Sequence, residues 1–507
     1  MTPEVLGIQR GTEYEALIDT LVSSRFASRL FAQDSSLWGD GAAAEAAVRL
    51  GWTDFEREAL KTISHAAAFR DELAGQGITH FVLCGMGGSS LAPMVIAPNL
   101  QVLDSTHPDA IRAAISGDLS RTAVIVSSKS GTTIETLSHR AAFEQAFASQ
   151  NLDPAKRIIV ITDPDSELHQ VAERTGMQYF LADPHTGGRF SALTAFGLVP
   201  SVLAGADGLK LVREAAAVRA VLSADSADNP ALVLAAAIAA GLPQQFVLEL
   251  HGDASLSETF GLWIEQLIAE STGKSGKGIL PISYPPGREG AAGFSEVAER
   301  VHLTADHSVP SAGIAVAGTL GEQFLLWEVA TAALGMLLEV DPFTQPDVES
   351  AKQAARQMIG APGTRTELSP SPVEAIQVLR SPEYTRGYVA IQAYADSSNA
   401  DIAELLEDLR MKLEHTLQVP VALGFGPRYL HSTGQLHKGG PSSGAFFQLV
   451  DTGFEDEPIP GSESSFGELM LAQAQGDANV LRERNRSVCT VRTGRLVEYV
   501  QRLLNAI

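Results

Sequence analysis

Only two cysteines, Cys84 and Cys489, occur in 507 residues. A disulfide framework is therefore not expected, and a reducing compartment fits. Positive charge is scarce as well: 37 lysines and arginines stand against 60 aspartates and glutamates, a net charge of −23. That balance argues against nucleic acid and anionic membranes as main partners, because both are met by basic surfaces. An anionic substrate must then be drawn in by a local positive site. No uncharged apolar run reaches the ~18 residues of a membrane span; Ala231 to Ala240 is apolar but too short. The start, Met1-Thr2-Pro3-Glu4, lacks a basic region followed by an apolar one, so no signal peptide and a cytoplasmic location are expected. Long internal repeats and low-complexity segments are also missing. What remains, 45% hydrophobic and 19% charged, is ordinary globular composition. At about 150 residues per domain, the length predicts two or three domains.

The pattern along the chain is α/β. Residues 1–50 lean towards helix, and Ala59, Ile63, Ala66, Phe69 and Leu73 recur at helical spacing. Four buried-strand candidates follow at His80–Cys84, Val102-Leu103, Ala123–Val126 and Arg157–Ile161, with helical stretches between them. That alternation predicts βαβ units and a parallel sheet over 51–240. A second α/β unit is expected over 241–362, with a strand at Gln245–Leu250 and a helix from Leu256 to Glu270 stopped at Gly273. Pro, Ser and Gly around 361–372 mark a boundary, and 363–507 again alternates helix and strand as a C-terminal α/β extension.

Two loops stand at strand ends, where parallel sheets place their ligands. Ser128-Lys129-Ser130-Gly131-Thr132-Thr133 offers hydroxyls, a lysine and backbone amides at a helix N-terminus, a setting suited to a phosphate. Capping alone would use one hydroxyl of the several present. Gly85-Met86-Gly87-Gly88-Ser89-Ser90 approaches a dinucleotide fingerprint, but its sixth position is Ser90 and its glycines are adjacent. A phosphate loop adding Gly87, Gly88 and Ser89 fits better than a dehydrogenase. Gly273-Lys274-Ser275 is not a P-loop end, since Ile268 stands where its first glycine belongs. Glu270 and Glu265 are competing acids on one helix. Arg189, behind two glycines, suits stabilisation of a developing enolate. His431 and His437 share a polar loop with Lys438 and lack the acidic or cysteine companions of a metal site, so no metal is expected and general acid work is the better fit.

Taken in order, Gly85–Ser89, Ser128–Thr136, Gly188–Ser191, Glu270–Lys274 and Phe343–Glu349 running on to Lys352 resemble the phosphoglucose isomerases. The resemblance covers roughly residues 50–360 and implies two doubly wound parallel-sheet sugar-isomerase domains. The tail, with its His431–Lys438 loop and Ser465-Phe466-Gly467, is similar to the isomerase half of fused transaldolase–phosphoglucose isomerase proteins. The isomerase-like part begins almost at Met1, so no transaldolase barrel is expected ahead of it.

The resemblance implies an aldose–ketose isomerase acting on glucose 6-phosphate and fructose 6-phosphate without a cofactor. Ser89, Ser128, Lys129, Ser130, Thr132 and Thr133 would hold the phosphate. Glu270 would move a proton between C2 and C1 through a cis-enediol while Arg189 stabilises its charge. Gln345 and Lys352, seven apart, would close over the sugar, and Lys352 would assist ring opening. The family's ring-opening histidine sits in a Gly-Gln-His segment soon after the base; here only His302 and His307 follow, without that segment. Thr433-Gly434-Gln435-Leu436-His437 is the nearest match, so His437 is expected in that role and His431 second. In many family members this histidine comes from the other subunit, which would make the protein a homodimer. Mannose 6-phosphate, another C6-anionic sugar, or a non-catalytic sugar-phosphate regulator are the alternatives.

Overall fold

The computed structural model describes residues 3–253, 255–288, 294, 296–306, 313–347 and 369–507. Among them the strands form three sheets with helices packed on their faces. A short strand, β1 (Glu4–Leu6), begins the chain. The first sheet takes β2 (His80–Gly85), β3 (Gln101–Leu103), β4 (Thr122–Ser127), β5 (Ile158–Thr162) and β6 (Gln178–Leu181) in the order β3-β2-β4-β5-β6, all parallel. The near-continuous apolar runs of β4 and β5 are buried along their whole length, as both faces of such a sheet are covered.

The second sheet joins β7 (Val247–Gly252), β8 (Leu280–Tyr284), β9 (Ala298–Thr304) and β10 (Ile314–Ala317) with β1, in the order β1-β10-β9-β7-β8. The expected α/β class holds, with one difference at an edge: β1 pairs antiparallel with β10, Val5 opposite Val316. The segment 1–50 is thus helical but also supplies a strand, and its pairing partner lies more than 300 residues away in sequence. The third sheet is wholly parallel, β12 (Val421–Phe425), β11 (Tyr388–Tyr394), β13 (Gly444–Asp451) and β14 (Ser487–Thr493) in that spatial order.

This last sheet is not a remote appendage. Tyr388, Ala390 and Phe446 share one buried apolar cluster with Leu280, Ile282 and Tyr284 of the second sheet. Arg428 reaches the first sheet and grips Asp104 with two charge-assisted bonds of 2.6 and 2.8 Å. Thr106 also donates to Gln473 at 2.9 Å. The polar loop 426–440 is thereby held between all three sheets. Close packing explains one glycine there. Gly273, expected as a helix stop, has φ −74°, so it ends its helix without a left-handed turn. A Cβ on it would lie 2.4 Å from Leu436 Cα, so the residue is glycine because the tail helix passes there.

Candidate active site

The parallel register sets Gly85 beside Ser127, so the loops after β2 and β4 leave the sheet side by side. The two adjacent glycines that spoil a dinucleotide fingerprint each permit a close approach. Gly88 packs so tightly that a Cβ would lie 2.0 Å from the carbonyl oxygen of Gly188. Gly87 has φ +56°, and a Cβ on it would lie 2.6 Å from the carbonyl oxygen of His431. The first loop therefore touches both the arginine loop and the tail loop.

In the second loop the hydroxyls organise one another. Ser128, buried at the strand end, lies 3.0 Å from Thr133 Oγ1 and accepts from the Gly131 amide at 3.2 Å. Exposed Ser130 and Thr132 pair at 3.0 Å. Thr133 is the N-cap of the helix Ile134–Ser149, yet its side chain does not cap it, which leaves the first-turn amides without that partner. Lys129 departs from its expected part. Its ammonium donates to Asp163 at 2.5 Å and to the Pro184 carbonyl at 3.3 Å. The carboxylate at the end of the neighbouring strand β5 takes the charge that was expected to face the phosphate.

Across the Gly88–Gly188 contact lies the densest polar cluster of the site. Arg189 and Glu270 are 4% exposed each, and Nη1 of the arginine donates to Glu270 Oε2 at 3.1 Å. The rest of the guanidinium is held by Ser271 Oγ at 2.9 Å, the Pro342 carbonyl at 2.6 Å and the Thr344 carbonyl at 3.1 Å. Gln345 Oε1 accepts a longer bond of 3.4 Å from Nη1. Burial draws the Arg189 pKa down from its usual value, and Glu270 opposes that shift. Stacked rings fix the backbone around it: Phe190 lies on Trp52 at 5.1 Å and against Phe343 at 5.6 Å. Lys352, expected beside Gln345, lies outside the described residues, as does His307.

Five residues earlier on the same helix, Phe260–Thr272, Glu265 points to another side. It accepts from the Ser283 amide at 2.7 Å, and burial raises its pKa to about 8. Glu270 is the acid that meets the arginine.

The two histidines of the tail loop lie in different surroundings. His437 sits on the short helix Gly434–Gly439 with Nδ1 3.1 Å from Tyr388 Oη, between the rings of Tyr388 and Phe446. Burial lowers its pKa to about 3. It is a core histidine on the tail sheet and does not line the Arg189–Glu270 cluster. His431 does border the site. Its carbonyl accepts from Gln266 Nε2 at 2.8 Å, one turn before Glu270, and its Nε2 is 3.0 Å from Glu135 Oε1. Glu135 is the second residue of the helix behind the Ser128–Thr133 loop, and Gln473 holds the same oxygen at 2.7 Å. Sequence reasoning quoted Glu135 within its motif without giving it work, and it missed Gln266 and Gln473. A carboxylate at the helix N-terminus was a readable signal; the glutamines carried none. His302, on β9, faces His251 at 5.7 Å instead. Among the described residues no cluster of three or more His, Cys, Asp and Glu could hold a metal, and no helix is long and apolar enough to cross a membrane.

Residues 40–278 match the protein family described as phosphoglucose isomerase. A probable glucose-6-phosphate isomerase of Haloquadratum walsbyi is 30% identical over 344 residues, 56% of this chain and 80% of that protein. The glucose-6-phosphate isomerase of Rubrobacter xylanophilus is 29% identical over 376 residues, 58% of this chain and 86% of that protein. Among solved structures, a glucose-6-phosphate isomerase from Chlamydia trachomatis shares the fold, with a TM-score of 0.55 at 18% identity over 72% of this chain and 88% of that one.

Proposed function

This chain belongs to the phosphoglucose isomerase family, and we propose that it interconverts glucose 6-phosphate and fructose 6-phosphate. The observation that carries the reading is the buried Arg189–Glu270 pair at 3.1 Å, joined to the phosphate-type loops through Gly88. A regulator that only senses a sugar phosphate needs the loops but no buried base beside a fixed cation.

Proton transfer next to a carbonyl requires a base at the carbon and positive charge at the oxygen. Glu270 is the base that carries the proton between C2 and C1, and Arg189 stabilises the cis-enediolate between them. The other donors of Arg189 are committed to Ser271, Pro342 and Thr344, so its Nη1 group is the one available to the substrate oxygen. The substrate oxygen takes over the Nη1 hydrogen now given to Glu270, which frees the carboxylate to accept a proton. Ser89, Ser128, Ser130, Thr132 and Thr133 hold the phosphate, with the first-turn amides behind them. That remote contact orients the reacting carbons. Lys129 contributes through its backbone, its side chain being held by Asp163.

Ring opening falls to His431. Its bond to Glu135 fixes the orientation of the ring. His431 arrives from the tail of the same chain, so this histidine needs no second subunit; a homodimer remains a matter of assembly. Lys352 keeps the supporting role that the resemblance implies.

The test is a coupled assay on chelator-treated protein with fructose 6-phosphate, reading glucose 6-phosphate through its dehydrogenase. Robust turnover is expected. Glu270→Gln should lower kcat by about 10²–10⁴-fold, the usual worth of a general base, while fructose 6-phosphate still binds. Near-normal turnover by that variant would remove Glu270 from the mechanism. Binding without turnover by the native chain would make it a sensor.

A further inference from the structure

Past the C-terminal end of the Glu270 helix, a pocket of about 410 Å³ opens between the second sheet and the tail. Lys274, Lys438, Arg484 and Arg486 line it, against one lining carboxylate, Asp347, among the described residues. Two of these cations are matched: Lys438 pairs with Asp477 at 2.5 Å, and Arg484 pairs with Asp347. The other two are not. Lys274, 5% exposed, donates to the Ser271 carbonyl at 3.3 Å and to that of Asp341. Arg486, 7% exposed, donates from Nη2 to the Gly440 carbonyl at 2.8 Å, while its Nε and Nη1 have no hydrogen-bond partner among the described residues. Among the described residues neither Lys274 nor Arg486 forms an ion pair.

Buried cations without counter-ions are costly, and unpaired guanidinium donors add to the cost. In a chain of net charge −23 an uncompensated positive pocket is a local construction, not a general property of the surface. Guanidinium forks match phosphate oxygens well. We propose that this pocket is a second anion site, which binds a phosphate group through Arg486 and Lys274, with Arg484 turning in from Asp347. No residue of the Ser128–Thr133 loop lines it, nor does Arg189 or Glu270. Its volume exceeds that of a bare phosphate, so a short organic tail also fits. Lys274 follows Glu270 by four residues and Asp347 follows Gln345 by two.

The binding claim does not depend on the isomerase reading; fructose 6-phosphate serves only to fill the first loop. Inorganic phosphate is titrated calorimetrically into the full chain at low ionic strength, with and without saturating fructose 6-phosphate. A phosphate-binding event is expected to persist when the sugar phosphate is present. Arg486→Met should weaken it at least about tenfold, with Arg486→Lys, which keeps the charge but not the fork, in between. Should Arg486→Met not fold, Arg484→Gln, whose side chain is 41% exposed, should weaken the same event. Glycerol 2-phosphate binding more tightly than phosphate supports the site and makes a phosphorylated metabolite its ligand; weaker binding supports the site and makes it free phosphate. Loss of all phosphate binding once fructose 6-phosphate is present overturns the proposal, as does undiminished binding in Arg486→Met. Failure of the isomerase reading would appear separately, as no turnover of fructose 6-phosphate, and the Arg486→Met comparison would still be readable.

Discussion

Gly88→Ala is a steric probe of how the phosphate-type loops are tied to the arginine. The position is not in the left-handed region, so alanine brings no backbone strain and its effect comes from contact alone. The added Cβ would sit 2.0 Å from the Gly188 carbonyl oxygen and 2.4 Å from its carbon, where real Cβ contacts stay above 3 Å. The two loops must therefore separate by about 1 Å, and neither side is a flexible side-chain end that could yield. One loop leads into Ser89 and the other into Arg189, so either way of relieving the clash moves a site residue. A misplacement of that size costs about 10²-fold in rate, or about 2.7 kcal/mol of transition-state stabilisation. Overpacking itself should cost about 1–3 kcal/mol of stability. The coupled assay should thus give kcat/KM reduced by roughly two orders of magnitude, with a lower Tm. Gly187→Ala is the matched control: φ is −69° there, and the nearest atom to its Cβ is Arg49 Cδ at 4.0 Å. That variant should stay within about threefold of the native rate, since surface changes away from such contacts are near neutral. If Gly88→Ala also kept native kcat/KM, the coupling of the two loops through this contact would be wrong.

Two further predictions concern the histidines. His431→Asn should lower kcat by about 10²-fold or more, as loss of a positioned acid does, whereas His437→Phe should leave kcat near native; the reverse result returns ring opening to His437. Acid stability gives an independent reading. His139 and His437 are buried and held neutral to about 4 and about 3, in both cases chiefly by desolvation. Below the unfolded value of ~6.5 the unfolded chain binds a proton at each and the folded chain does not, so stability is full above pH ~6.5 and falls as pH drops towards the folded values. Each histidine should take away about 2 kcal/mol between pH 7 and pH 5. Denaturant unfolding should therefore show a shallower loss over that window in His437→Phe, and an unchanged slope would mean that His437 already titrates in the folded state.

The sequence is informative where a local pattern is enough and misleading where a distant partner decides. The apolar runs at 122–127 and 158–162 read as buried parallel strands because both of their faces are covered. Arg189 and Glu270 were legible as a pair because each sits in a distinctive motif, although 81 positions separate them. The Lys129–Asp163 contact is not legible in the loop, because Asp163 is brought there by the pairing of β4 with β5, which no spacing in the loop encodes. Likewise β1 exists only through β10. The two histidines are the sharpest case. They are six residues apart in one polar loop, and the motif match favoured His437; yet a helical turn directs that ring into the Tyr388–Phe446 core, while His431, at the end of the preceding turn, meets Glu135 from 296 positions earlier. Both side chains are polar, one packed in a core and one facing a carboxylate, so composition cannot tell them apart. Which of two nearby polar residues meets a distant carboxylate is decided by where the other strands' loops arrive, and this is a property of the sheet's assembly.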